Sequence, residues 1–146
     1  MQSQHTIFVC TSCASQYQDK KKVGKSGGER LMTQMRNTIQ DWDLAPEFSL
    51  QPVQCLSTCS HACAIAFIAP DKLTYLFGDL PIDNTQIANT ASTVLECAAQ
   101  YHAHPDGLLS YKERPELLKN KVIARIPSLP PLPTLLTIEN LETNAT

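Results

Sequence analysis

Apolar and polar positions divide the chain into short β-rich stretches separated by two helical repeats. "HTIFVC" (His5–Cys10) predicts a first strand. "TSCASQYQDKKKVGK" (Thr11–Lys25) is polar without a period and reads as a loop. From Ser26 to Trp42 the residues Leu31, Met32, Met35, Ile39 and Trp42 recur at helical spacing, and Ser26 with Glu29 three positions on forms a capping box, so this segment is a first helix. "FSLQPVQCL" (Phe48–Leu56) predicts a strand, and Pro52, with no N–H to donate, favours a sheet edge or a bulge there. Ala64–Ala69 and Lys72–Gly78 flank the turn signal Pro70-Asp71 and predict a β-hairpin. Asp83–His102 repeats Ile87, Ala91, Val94, Leu95 and Ala98 on one helical face, with Asp83 as the expected N-cap.

The resulting order is β-α-β-β-β-α, an α/β domain assigned to residues 1–112. His104–Gly107 is a turn, and Ser110–Pro127 reads as a short helix and an extended arm. Residues 113–146 are set apart as a C-terminal extension that ends in a proline-rich tail, expected to be mobile, from Pro127.

Composition changes this picture little. The 146 residues suit one domain, and the formal net charge of −2 argues against wholesale nucleic-acid binding. "MQSQHTIF" has no basic flank or apolar run of signal-peptide length, and "ACAIAFIAP" is too short to span a bilayer. A soluble, cytoplasmic protein with no membrane partner is expected.

The six cysteines change it more. In a reducing compartment, clustered cysteines bind metal or do redox chemistry more often than they form disulfides. Cys10 and Cys13 make a C-x2-C at the end of the first strand. Cys55, Cys59 and Cys63 make a C-x3-C-x3-C between two predicted strands. That spacing would stack three thiols on a helix, but the flanking strands make the segment a connection. If the two groups meet at one end of the sheet, four or five thiolates converge, a donor set that iron and zinc both accept. The small Thr, Ser and Ala residues around them would let backbone N–H groups reach the sulfurs. Cys97, alone on a helix flank, reads as core packing.

Here "VQCLSTCSHACAIAF…YLFGDL" resembles the second half of the thioredoxin-like [2Fe–2S] ferredoxins. In those proteins a first cysteine pair follows the first strand and a C-x3-C precedes a hairpin. Cys10, Cys55 and Cys59 match in position; Cys13 sits closer to its partner than is usual there, and Cys63 is extra. The combination "VCTSC", "CLSTCSHAC" and "LTYLFGDLP" more closely resembles a bacterial domain-of-unknown-function family (number 1636) of predicted metal-binding proteins, over residues 5–127. The resemblance implies a thioredoxin-like fold of ferredoxin type with a central mixed sheet and a metal site. It also implies that Cys10, Cys13, Cys55 and Cys59 hold a [2Fe–2S] cluster, with Cys63 as a spare ligand, and that two copies pair as a homodimer.

The expected function is a metal-binding protein, most concretely a carrier of single electrons that serves a redox protein partner, rather than an enzyme. A non-redox module for zinc or another metal is the alternative. Thiol–disulfide exchange at Cys10–Cys13 is a second one; it needs the first cysteine at a helix N-terminus, and a polar loop follows the motif instead. "DKKKVGKSGG" resembles the end of a P-loop, but Asp19 stands where the first glycine is required. Lys20, Lys21, Lys22 and Lys25 are read as a solvated loop, with docking of an acidic partner as the sharper reading. His61, between two cysteines, is expected to face solvent, and His102 and His104 suit a helix end.

Overall fold

The computed structural model describes residues 5–129. Strand β1 (His5–Cys10) is an interior strand, with Ile7 and Val9 fully buried. A small hairpin follows, β2 (Gln16–Gln18) with β3 (Lys21–Val23), inside the segment expected to be loop. Helix α1 runs from Gly27 to Ile39, shorter than the predicted span, and opens on the expected capping box: the Glu29 N–H donates to Ser26 Oγ and the Ser26 N–H to the Glu29 carboxylate. Strand β4 (Phe48–Val53) pairs parallel with β1. Strands β5 (Ile65–Ile68) and β6 (Thr74–Phe77) form the predicted hairpin, and helix α2 (Ile87–Ala103) follows.

Strand β7 (Val122–Ile126) closes the main sheet, in the order β4-β1-β5-β6-β7. Only the β1–β4 pairing is parallel, so the sheet is mixed. The arm expected to be merely extended is therefore the fifth strand, antiparallel to β6. The proline-rich tail from residue 130 lies outside the described residues. Strand β4 is an edge, which is where Pro52 can sit without breaking a ladder on both sides. Asp83 does not cap α2: its carboxylate accepts from the Thr85 hydroxyl and its carbonyl from the N–H groups of Gln86 and Ile87, one turn ahead of the helix. Among the described residues no helix is long and apolar enough to cross a membrane.

Strand alternation sends Ile7, Val9, Ile65, Phe67, Tyr75 and Phe77 to one face, all fully buried. Both helices cover that face, α1 through Leu31, Met32 and Met35 and α2 through Val94, Leu95, Ala98 and Tyr101. Tyr101 meets Phe67 at 5.5 Å and donates its hydroxyl to the Leu73 carbonyl at 2.6 Å, which fixes the end of α2 to the β5–β6 turn. Buried Lys72 closes the same helix end by donating to the carbonyls of Tyr101 and His102 at 3.0 and 2.9 Å. Cys97 is fully buried in this core, as expected, and burial pushes its thiol up to about 12.

His5, at the end of β1 opposite the cysteines, is packed among Phe48, Tyr101 and His102. Neither ring nitrogen has a partner among the described residues. Burial, with Lys72 and His102 nearby, lowers its pKa from 6.5 to about 4, against a smaller opposite pull from Glu47. The folded value lies below the unfolded one, so this contribution is fully present above about pH 6.5 and is lost as pH falls toward 4. Urea titrations should show roughly 2 kcal/mol less stability at pH 5 than at pH 7 from this residue. His5→Phe, which keeps the aromatic packing, should remove that part of the slope; an unchanged slope would assign it elsewhere.

Candidate metal centre

The site is built by two connections at one end of the sheet. The first leaves β1 at Cys10 and runs to α1. The second, from β4 to β5, carries Cys55, Cys59 and Cys63. They are sewn together through the backbone: the Cys10 N–H donates to Ala64 O (3.1 Å), Thr11 N–H to Val53 O (2.8 Å) and Ser12 N–H to Gln54 O (3.1 Å). The start of α1 locks onto the first connection, with Gly27 N–H on Ala14 O (3.2 Å) and Gly28 N–H on Cys13 O (2.9 Å). Ser26 adds a hydroxyl bond to Thr11 O. Two glycines make this approach possible. A Cβ on Gly28 would stand 1.9 Å from the Cys10 carbonyl oxygen, and one on Gly27 would stand 2.8 Å from Ala14 Cβ and 3.1 Å from Cys63 Sγ.

All five candidate cysteines reach this end, in two environments. Cys10, Cys13 and Cys63 are buried, at 1%, 2% and 0% exposure, whereas Cys55 and Cys59 are exposed. The three buried thiols influence one another's ionisation. Burial raises the Cys10 thiol, but bonds from the Cys13 side chain, the Leu56 N–H, Ser12 and the Cys13 N–H outweigh it and hold Cys10 below its ordinary value. Cys13 goes the other way: burial and the bond to Cys10 push it up to about 12, against the Ala64 N–H. Burial likewise takes Cys63 to about 11, with Cys10 adding to the rise and Arg30 opposing it. The exposed Cys55 Sγ accepts the Ser57 N–H at 3.1 Å. Cys59 opens a single 3-10 turn (Cys59–His61), and the peptide between Ala62 and Cys63 is cis.

The Ser57 N–H thus points at the Cys55 sulfur, while Cys10 Sγ lies 3.8 Å from Ser12 Oγ and is held toward its ionised form. That environment suits thiolates that carry a metal's charge. Among the described residues, however, no three Cys, His, Asp or Glu side chains stand ready to hold one ion. Bringing the exposed pair onto the buried set requires the 54–62 connection to shift. His61 is exposed, with its Nδ1 3.0 Å from Asp79 Oδ2. His104 pairs with Glu113 at 3.1 Å, away from the cysteines.

Sequence reading missed what the "SGGE" run does. The capping box is legible, but the need for glycine at two successive positions comes from the Cys10–Ala14 backbone lying against the helix start. Arg30, one turn into α1, is the cation whose charge reaches Cys63.

Residues 7–128 match the family described as "Protein of unknown function (DUF1636)", and the chain belongs to that family. No curated protein matches it. Among solved structures it is similar to a thioredoxin-like [2Fe–2S] ferredoxin from Aquifex aeolicus, at 14% identity and a TM-score of 0.51, covering 91% of this chain and 100% of that one. At that identity the likeness speaks for the fold, which is thioredoxin-like of the ferredoxin type.

Proposed function

We propose that this DUF1636 member is a thiolate-ligated metal-binding protein and, more finely, a [2Fe–2S] carrier of single electrons between protein partners in the cytoplasm. The observation that carries the reading is the gathering of five cysteines on two connections sewn together at one end of the sheet, with a backbone N–H donated to the Cys55 sulfur. Neutral thiols gain little from such a donor, whereas thiolates bound to iron are stabilised and tuned by it. The solved [2Fe–2S] ferredoxin on the same fold adds support. When bound, the cluster would accept and release one electron at a time.

Each residue has a task in this reading. Cys10, Cys13, Cys55 and Cys59 supply the sulfurs, and Cys63 stands beside Cys13 as a spare. Gly27 and Gly28 let α1 shut one side of the centre against water. Thiol–disulfide exchange fits less well, because the N–H groups at the start of α1 go to Ala14 O, Cys13 O and Ser26 Oγ and not to a sulfur.

Anaerobic purification followed by iron, acid-labile sulfide and zinc analysis tests the reading. Expected are two iron and two sulfide per chain with visible absorption that bleaches on reduction, as about four thiolates per such cluster require. A colourless protein with one zinc per chain and no sulfide would move it to the structural or delivery alternative. Neither metal, under conditions that preserve other ferredoxins, would overturn it.

A further inference from the structure

The β2–β3 hairpin has no explanation in the core. All six of its strand residues are exposed, so it buries nothing for the domain. An isolated two-stranded ribbon is marginal in water. Yet this one stands between Cys13 and the start of α1, where a short link would serve.

Its composition is one-sided. Residues 16–36, the hairpin and most of α1, hold six of the twelve Lys and Arg residues against two acidic ones. This stretch is strongly positive in a chain whose net charge is −2. Lys22 pairs with Glu29 on α1, which ties the hairpin down, but Lys20, Lys21, Lys25 and Arg36 have no ion-pair partner among the described residues. Tyr17 is 67% exposed and Val23 45%. The register sets Tyr17 opposite Lys22 and Gln18 opposite Lys21, so one face of the ribbon turns to α1 with Lys22 and the other offers Lys21 and Val23.

The turn supplies an independent sign. Asp19 and Lys20 both have positive φ, 53° and 67°, the pair of left-handed residues that a two-residue hairpin turn of this type needs. Glycine is the favoured second residue there, and a lysine costs about 1 kcal/mol. The chain carries a long cation at a position where backbone energetics favour no side chain at all.

We propose that this hairpin is a docking arm for an acidic face of a protein partner, held beside the cysteine end of the sheet. A protein is favoured over nucleic acid or an anionic membrane because the remainder of the chain is net negative. An extended polyanion would meet that repulsion, while a local acidic patch meets only the arm. Exposed Val23, on the same face as Lys21, adds the apolar contact that protein interfaces use at their centre. The inference goes beyond the metal reading and does not depend on what the cysteines hold.

The test is amide NMR of the full chain with a short acidic peptide of about six glutamates as probe, at about 0.01 M ionic strength, where charges act over about 30 Å. Saturable shifts confined to residues 16–36 are expected, weakening steeply with salt. Lys20→Gly with Lys21→Gln removes two charges while suiting the turn, and should weaken binding about five- to tenfold. Removing two charges elsewhere, by Lys112→Gln with Arg125→Gln, should change it less than about twofold. Unchanged α1 and β1 amides in the hairpin variant certify its fold. Shifts spread over the surface, equal losses in both double variants, or tighter arm-dependent binding to duplex DNA or to phosphatidylserine vesicles would each overturn the proposal.

Discussion

Replacing Gly28 by alanine is expected to lower unfolding stability by at least about 3 kcal/mol. The added Cβ would lie 1.9 Å from the Cys10 carbonyl oxygen and 3.0 Å from Cys10 C and Thr11 Cα. These are backbone atoms, so no side chain can rotate away. Either α1 lifts off the cysteine connection or β1 is displaced at its end. The first loses the Gly28–Cys13 and Gly27–Ala14 hydrogen bonds; the second disturbs an interior strand paired on both sides. In a domain whose whole stability is of the order of 5–15 kcal/mol, that is a large fraction. Gly24→Ala provides the scale. Gly24 has φ +64° with nothing within 4 Å, so a methyl there meets only the left-handed penalty, about 1 kcal/mol. Urea midpoints at constant slope measure both. Equal, small shifts would mean that the close packing of α1 on Cys10 is absent in solution.

What the sequence reveals, and what it hides, divides along the range of the interactions. Helix α1 is legible because its cap is local: Ser26 and Glu29 satisfy each other within four residues. Strands β1, β4, β5 and β6 carry enough β-branched and aromatic residues to be read, and Pro52 marks the edge. The β2–β3 ribbon is hidden because it has no hydrophobic alternation and its turn, Asp19-Lys20, lacks the glycine that signals such turns. Strand β7 is hidden for another reason. "VIARI" is a strand by virtue of β6, about fifty residues earlier, and nothing nearby announces that pairing. Asp83, with Gln86 three positions on, reads as the cap of α2, but its carboxylate accepts from the Thr85 hydroxyl one turn ahead of the helix.

The same division holds at the candidate site. Cysteine spacing says which residues travel together, and the strand order says to which end. It cannot say that Cys13 and Cys63 are sealed beneath α1 while Cys55 and Cys59 stay in solvent. That split follows from the two glycines and from the hydrogen bonds joining the connections, all of them contacts between segments far apart in the chain.

A cysteine-to-serine series is expected to give the largest change in the proposed chemistry. A [2Fe–2S] centre takes four thiolates and this end of the sheet offers five, so the five substitutions should not be equivalent. Cys10→Ser should cut bound iron and sulfide at least about tenfold, because Cys10, at the end of β1, is the one of the three buried thiols held toward its ionised form. Cys55→Ser and Cys59→Ser should do the same, since they supply all the donors that the exposed loop has among its cysteines. Cys97→Ser should leave the iron and sulfide unchanged, as its thiol is buried in the helical core away from the connections. Cys13 and Cys63 then separate. Cys13 shares the first connection with Cys10, whereas Cys63 lies beneath Gly27 at the far end of the second. Cys13→Ser is therefore expected to lose the cluster, and Cys63→Ser to keep it with a changed visible spectrum and faster loss to a chelator. Far-ultraviolet circular dichroism on every variant separates loss of metal from loss of fold. The reverse pattern would make Cys63 the fourth ligand and Cys13 the spare. Full iron and sulfide in Cys10→Ser would remove the centre from this end of the sheet altogether.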